Sequence, residues 1–332
     1  MLARYAALMV HGRQNMFLVP LSTVFSLRDG RPVIDAARLR RYVEVFTNAG
    51  MHFIEGGHFG GRATGKWACP NFSVGLTKAL ATSPEGNTDI HAIASQLIAE
   101  IDANGWHDRW VQHIADEPVA ESAADYRIFT GMVRKYMPGL PIIDATQSEA
   151  LVGAVDIWCP IEQEFQRNQT HFDAVRTVGD RVFIYTCCYP GGPWLNRLLD
   201  MELLRPALFG WGTAHFHLDG FLHWGLNQYQ ADQDPFELNN LDWGKGNHLP
   251  AGDTHIVYPG ADGPWSSVRL EAQREGFEDY ELLHQLQLHD AQAAVEVIRP
   301  VFHAFDDYTK DLAVFRAARR ALLTATSVLS VT

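Results

Sequence analysis

Short apolar runs alternate with helical, amphipathic stretches along most of this chain. That alternation is the mark of a parallel sheet whose strands are linked by crossover helices. The apolar runs predict strands at residues 16–20, 51–55, 110–115, 141–145, 156–159, 182–187 and 221–226. Between them the pattern predicts helices at 35–49, 89–104, 123–136, 171–178 and 200–218, with a last one at 267–286. These make seven strands, and an eighth would precede the opening helix at 2–10. The fold expected is therefore α/β, a TIM-type (β/α)8 barrel lacking its first strand, with an open seven-stranded sheet as the alternative. On this reading the chain starts inside the first βα unit, shortened at its N-terminus or begun at a start site assigned too late. Residues 1–286 would form the barrel, and the Ala-rich segment 287–332 a helical extension packed on it.

Polar and aromatic residues concentrate just after the predicted strands, where a β/α barrel carries its chemistry. Asp116-Glu117-Pro118 follows the third strand and precedes a helix. A carboxylate before proline is also a common helix start, since it can cap free N–H groups. Other residues so placed are Glu55, His58, Asp144, Glu162, Tyr185, Tyr189, Trp194, Trp224 and Asn227. Arg13 and Asn15 precede the first visible strand and reach the rim only if that boundary shifts. Long loops at 56–87 and 227–264 fall on the same face. The glycines of the first do not make a dinucleotide fingerprint, because no helix begins on them.

Composition narrows the partner. The 332 residues carry 27 Lys+Arg against 39 Asp+Glu, a formal net charge of −12, with no basic block. That disfavours nucleic acid or an anionic membrane as partner and suits a neutral ligand. Nine Trp, ten Tyr and eighteen Phe supply faces for sugar rings as well as core. The four cysteines, Cys69, Cys159, Cys187 and Cys188, lack zinc-ligand spacing. No membrane-spanning run and no signal peptide are visible, and the compartment stays open.

Four segments together resemble the catalytic barrel of glycoside hydrolase family 123 over about residues 1–286. They are Asp116-Glu117-Pro118; Val155 to Pro160; Gly220 to Asn227; and Arg269 to Tyr280. The resemblance implies an N-acetyl-β-galactosaminidase that retains configuration by substrate-assisted catalysis, with no metal or organic cofactor. It implies Glu117 as the acid and Asp116 as the group that polarises the substrate's acetamido N–H. Arg13, Asn15, His58, Glu162, Tyr185, Tyr189, Trp194, Trp224 and Asn227 would contact a glycan or glycoconjugate. Family relatives usually carry an N-terminal β-sandwich domain, which would then be missing here, and are often exported. Three other readings stay open: a metal-dependent hydrolase using His215 and His217 or His52 and His58, a non-catalytic carbohydrate-binding barrel, and a glycosidase of another specificity.

Overall fold

The structure is a computed structural model that describes residues 1–240 and 248–327. Seven strands run parallel in consecutive order: β1 (Met16–Val19), β2 (Phe53–Gly56), β3 (Trp110–Gln112), β4 (Ile143–Asp144), β5 (Ile157–Trp158), β6 (Arg181–Tyr185) and β7 (Gly220–Leu222). The pairing breaks into β1–β2–β3 and β4–β5–β6–β7, joined by a parallel bridge between Gln112 and Ile142. All seven fall within the runs expected from sequence or overlap them by most of their length. No strand pairing joins β7 to β1 among the described residues.

Local signals set the helices. Asp35 caps α2 (Ala36–Ala49) by accepting from the Arg38 N–H, and Gly50, at φ 111°, ends it in a conformation other residues rarely adopt. Ser83 caps α3 (Pro84–Ala103), which begins on proline. Helix α1 (Leu2–His11) packs beside α2, while α4 (Ala123–Tyr136) and α5 (Gln169–Thr177) follow β3 and β5. Helix α6 (Leu204–His215) is buried on all sides from Leu204 to Ala214, sandwiched between the sheet and α7 (Val268–His289). A Cβ at Gly210 would strike the Gly276 carbonyl, and one at Gly276 the Ala207 carbonyl, so both glycines permit this close crossing.

The main core lies between strands and helices and includes Phe17, Ile54, Trp110, Trp158, Ile184 and Trp211. A small separate cluster of Val111, Ile143 and Ile157, with Met16 and Phe183 against it, fills part of the inner face of the sheet. The rest of that face borders a cavity of about 1620 Å³ that runs from the strand starts to their C-terminal ends. Leu18 on β1 is 44% exposed.

Residues beyond α7 are less purely helical than expected. Between helices Ala291–Ile298 and Leu312–Ser327 lies a hairpin of Phe302–Ala304 and Asp307–Tyr308. Its Phe302 and Phe305 rings pack with Phe216, and Arg319 reaches Asp279 of α7 at 2.9 Å. Further hairpins at Phe25–Arg28 with Arg31–Ile34, and Gly60–Arg62 with Phe72–Val74, were also not expected. Part of the loop expected at 227–264 lies outside the described residues.

Candidate active site

The sheet ladder of β3 stops at Gln112, four residues before Asp116. The buried Gln112 amide accepts from the Trp110 indole at 3.1 Å and donates to the carbonyls of Gly57 and His113 at 2.8 Å each, tying the end of β3 to that of β2. The chain then bends, and Glu117 takes a left-handed φ of 43°. For a residue with a Cβ that conformation costs roughly 1–2 kcal/mol, and it is held from outside. Arg62 Nη2 donates to the Glu117 carbonyl at 2.8 Å, and the Thr146 hydroxyl donates to the Pro118 carbonyl at 2.8 Å. Neither carboxylate caps α4 among the described residues. A 3₁₀ turn, Ala120–Ser122, intervenes, and its Ser122 hydroxyl pairs with Val119 at 3.1 Å.

The two neighbouring carboxylates differ in setting. The Asp116 side chain is 61% exposed, with Arg62 Nη1 3.8 Å from its Oδ2. Glu117 is partly buried and its carboxyl is pushed up to about 7, first by burial and then by the Asp116 charge, with Arg62 opposing. Arg62 itself lies over the Trp67 ring at 4.2 Å. It comes from the hairpin in the glycine-rich loop, which Asp125 of α4 anchors by accepting from the Phe72 N–H at 2.7 Å.

Beside the pair, on the ends of β2 and β4 and just past β3, runs a chain of charge. His113 Nε2 lies 2.6 Å from Glu55 Oε1 and its Nδ1 lies 3.2 Å from Asp144 Oδ1. The Tyr126 hydroxyl donates to Asp144 Oδ2, and the His58 ring stands edge-on to His113 at 4.7 Å. Burial works against a charge on His113, yet the two carboxylates outweigh it and hold the imidazolium up to about 10. Burial, then the His113 charge, keeps His58 below its ordinary value. Donor atoms of His58, His113 and Asp144 lie within 4.8 Å of one another, close enough to surround a small cation. Both His113 nitrogens already face carboxylates, so a cation would have to displace a proton and one of those bonds. The donor set fits a hydrogen-bonded imidazolium better than a ligand cage. His215, His217 and His52, weighed as ligands from sequence, are not part of this group.

The opposite wall comes from the ends of β6 and β7 and the loop beyond. Tyr185 and Trp224 line the cavity, and the Trp224 indole donates to Asp253 Oδ1 at 3.2 Å. Burial pushes the Asp253 carboxyl up to about 6. Behind it, buried Arg269 donates to the carbonyls of Arg197, Gly252 and His255 at 2.7–2.8 Å, and Arg197 bonds Gln273 Oε1 at 3.1 Å.

The structure thus brings together Asp116, His58, Tyr185, Trp224 and Asn227 around one cavity, with Glu117 beside Asp116. Other expected contacts are placed differently. Arg13 and Asn15 line the same cavity but at its far end, before β1, where Arg13 pairs with Glu278 at 2.7 Å and the Asn15 carbonyl accepts from the Phe53 N–H. That removes both from the rim, since strand polarity fixes which end a residue before β1 occupies. Glu162 opens the helix Glu162–Arg167 and is fully buried, with burial raising its carboxyl well above the ordinary range. It is a core acid, away from the cavity lining. Tyr189 is 43% exposed, and it and Trp194 flank the Gln163 amide outside the lining of this cavity. Sequence reasoning missed Arg62, His113 and Asp253. His113 is three residues before Asp116, and its place among strand-end polar residues was the signal to follow.

No curated protein sequence matches the chain significantly. Among solved structures, a family 123 glycoside hydrolase from Clostridium perfringens, described in terms of glycolipid glycan hydrolysis, is similar at TM-score 0.62 and 12% identity. The match covers 92% of this chain, which spans 56% of the length of that protein. XacCel5A, solved in complex with cellopentaose, is similar at TM-score 0.50 and 10% identity over 82% of this chain and 90% of that one. At these identities the likeness concerns the fold, which is TIM-barrel-like. The family model "Glycoside hydrolase 123, catalytic domain" matches residues 7–286, and the chain belongs to that family.

Proposed function

We propose that this chain is a glycosidase that removes a terminal β-linked N-acetylhexosamine, with N-acetylgalactosamine the favoured sugar, and retains configuration by substrate-assisted catalysis. The observation that carries this is the split environment of two adjacent carboxylates, one exposed and one partly buried with its proton affinity near neutrality. Glu117 gives its proton to the glycosidic oxygen as the bond to the anomeric carbon breaks. The substrate's own acetamido oxygen attacks that carbon, while Asp116 accepts from the acetamido N–H and supports the developing oxazolinium charge. Water then opens the ring with Glu117, now a carboxylate, as base. This belongs to the substrate-assisted exceptions to the two-carboxylate scheme with an enzymic nucleophile.

Tyr185 lies where its hydroxyl feels the charge of both Glu117 and Asp116, and it is suited to donate to the acetamido oxygen. Trp224 offers a face to the sugar, and His58 and Asn227 border the same space. The glycolipid glycan named for the Clostridium perfringens relative suggests a glycoconjugate as the natural substrate. We read the seven described parallel strands as belonging to a β/α barrel within residues 1–286, with 287–332 as an extension.

The test is hydrolysis of an aryl β-N-acetylgalactosaminide by the wild-type protein and by Glu117→Gln, with the aryl β-galactoside as control. Turnover of the acetamido sugar alone, reduced about 10²–10⁴-fold in the variant, supports the reading. Turnover of the galactoside would exclude acetamido participation, and no turnover by folded protein would exclude this specificity.

A further inference from the structure

The chain of charge beside the catalytic pair is more elaborate than an acid and its neighbour require. Glu55 sits at the end of β2 and lines the cavity with a side chain 16% exposed. Its Oε1 is taken by His113 at 2.6 Å, and no protein donor reaches its Oε2 among the described residues. His113 in turn is fixed at its other nitrogen by Asp144, and Asp144 by the Tyr126 hydroxyl from α4. The groups facing His113 are Glu55 and His58 from β2 and the loop after it, and Asp144 from β4. The Asp116 and Asp144 charges act on His58, and Cys159 of the β5 side feels Glu55 and Asp144. Among the described residues both Asp144 oxygens and one Glu55 oxygen are taken within this row, and Glu55 itself lines the cavity.

We infer that Glu55 is a sugar-binding residue, its free carboxylate oxygen accepting a hydrogen bond from a ring hydroxyl of the hexose, and that His113 is the positioning residue that aims it. This rests on the proposed sugar-binding role of the cavity and adds a polar subsite to it. A carboxylate clamped on one side by an imidazolium has lost most of its rotational freedom before ligand arrives. It therefore accepts a hydroxyl at a defined position instead of searching for one. Its charge also makes that bond stronger than one between neutral groups.

The experiment uses Glu117→Gln, which lets sugar bind without turnover. Binding of N-acetylgalactosamine and of its 3-, 4- and 6-deoxy analogues is measured by calorimetry, with Glu55 intact and with Glu55→Gln added. The expectation is that one deoxy analogue binds about ten- to a hundredfold more weakly than the parent when Glu55 is present. In the Glu55→Gln background that penalty falls to within about threefold, because the lost hydroxyl and the lost carboxylate are partners. His113→Gln should shrink the same penalty and no other. Ring-nitrogen NMR should find both His113 nitrogens protonated at pH 7.5, and one of them released in Glu55→Gln.

Penalties that are equal in the two backgrounds, or failure of the folded protein to bind the sugar at all, overturn the inference. Should binding show the coupled penalty while the aryl glycoside goes uncleaved, the hydrolase reading fails and the subsite stands. The reverse pattern sinks the subsite alone.

Discussion

The two walls of the cavity hold buried charge in different ways. On the side of β2 to β4, charges meet charges: Glu55, His113 and Asp144 alternate in sign, and Asp116 lies against Glu117 with Arg62 between loop and pair. On the side of β6 and β7, buried Arg269 has no carboxylate partner among the described residues and donates to three backbone carbonyls. The first arrangement sets proton affinities, raising Glu117 to about 7 and His113 to about 10. The second fixes backbone, tying the segments around Arg197, Gly252 and His255 into one piece. Burial alone does not make a group chemical. What its hydrogen bonds are spent on does.

The sharpest way to break this contrast is Asp116→Asn. If the first wall is the chemical one, kcat/KM on the acetamido substrate falls about 10²–10³-fold with little change in stability. An intact rate would leave Asp116 as solvated loop. Arg269→Leu should do the opposite. It abandons three buried carbonyls and costs about 3 kcal/mol of unfolding free energy, read from the urea midpoint at constant slope. A variant as stable as the wild type would deny the scaffolding role.

A pH profile refines the first wall. Glu117 must carry a proton to act, and it ionises as pH rises through about 7, so kcat/KM should decline on the alkaline side of that value. The Arg62 charge holds the Glu117 pKa down, so Arg62→Gln should move the decline to higher pH. A shift the other way would contradict the electrostatic account. The smallest effect expected is for Trp67→Ala, which removes the ring under Arg62 and costs about 0.5–1 kcal/mol, read in kcat/KM.

The strands were legible because each buries a short apolar run, and their order followed because parallel neighbours in such folds are usually consecutive. The hairpins at Phe25–Ile34 and Phe302–Tyr308 were not, since their strands are at most four residues long and half-exposed, too brief for a period to register. Glu162 looked like a rim acid because it follows a strand, but Glu162–Arg167 turns it into the core instead of the cavity. Asp116-Glu117-Pro118 alone reads equally as a helix start, and its position after a strand is what marked the pair as a candidate. The dominant reason for the raised Glu117 affinity could not be read there, because burial outranks the like charge beside it.

By itself the sequence determined the alternation of strands and helices, their polarity and the rim on which Asp116 and Glu117 fall, since these follow from local periodicity and chain direction. Only the tertiary structure decided that Glu55, His113, Asp144 and Tyr126 form one row. Those residues come from separate elements up to 89 positions apart, from Glu55 to Asp144. Neither which oxygen is left free nor which proton is held is written in the sequence nearby. Such quantities depend on distance and desolvation, which exist only once the strands stand side by side.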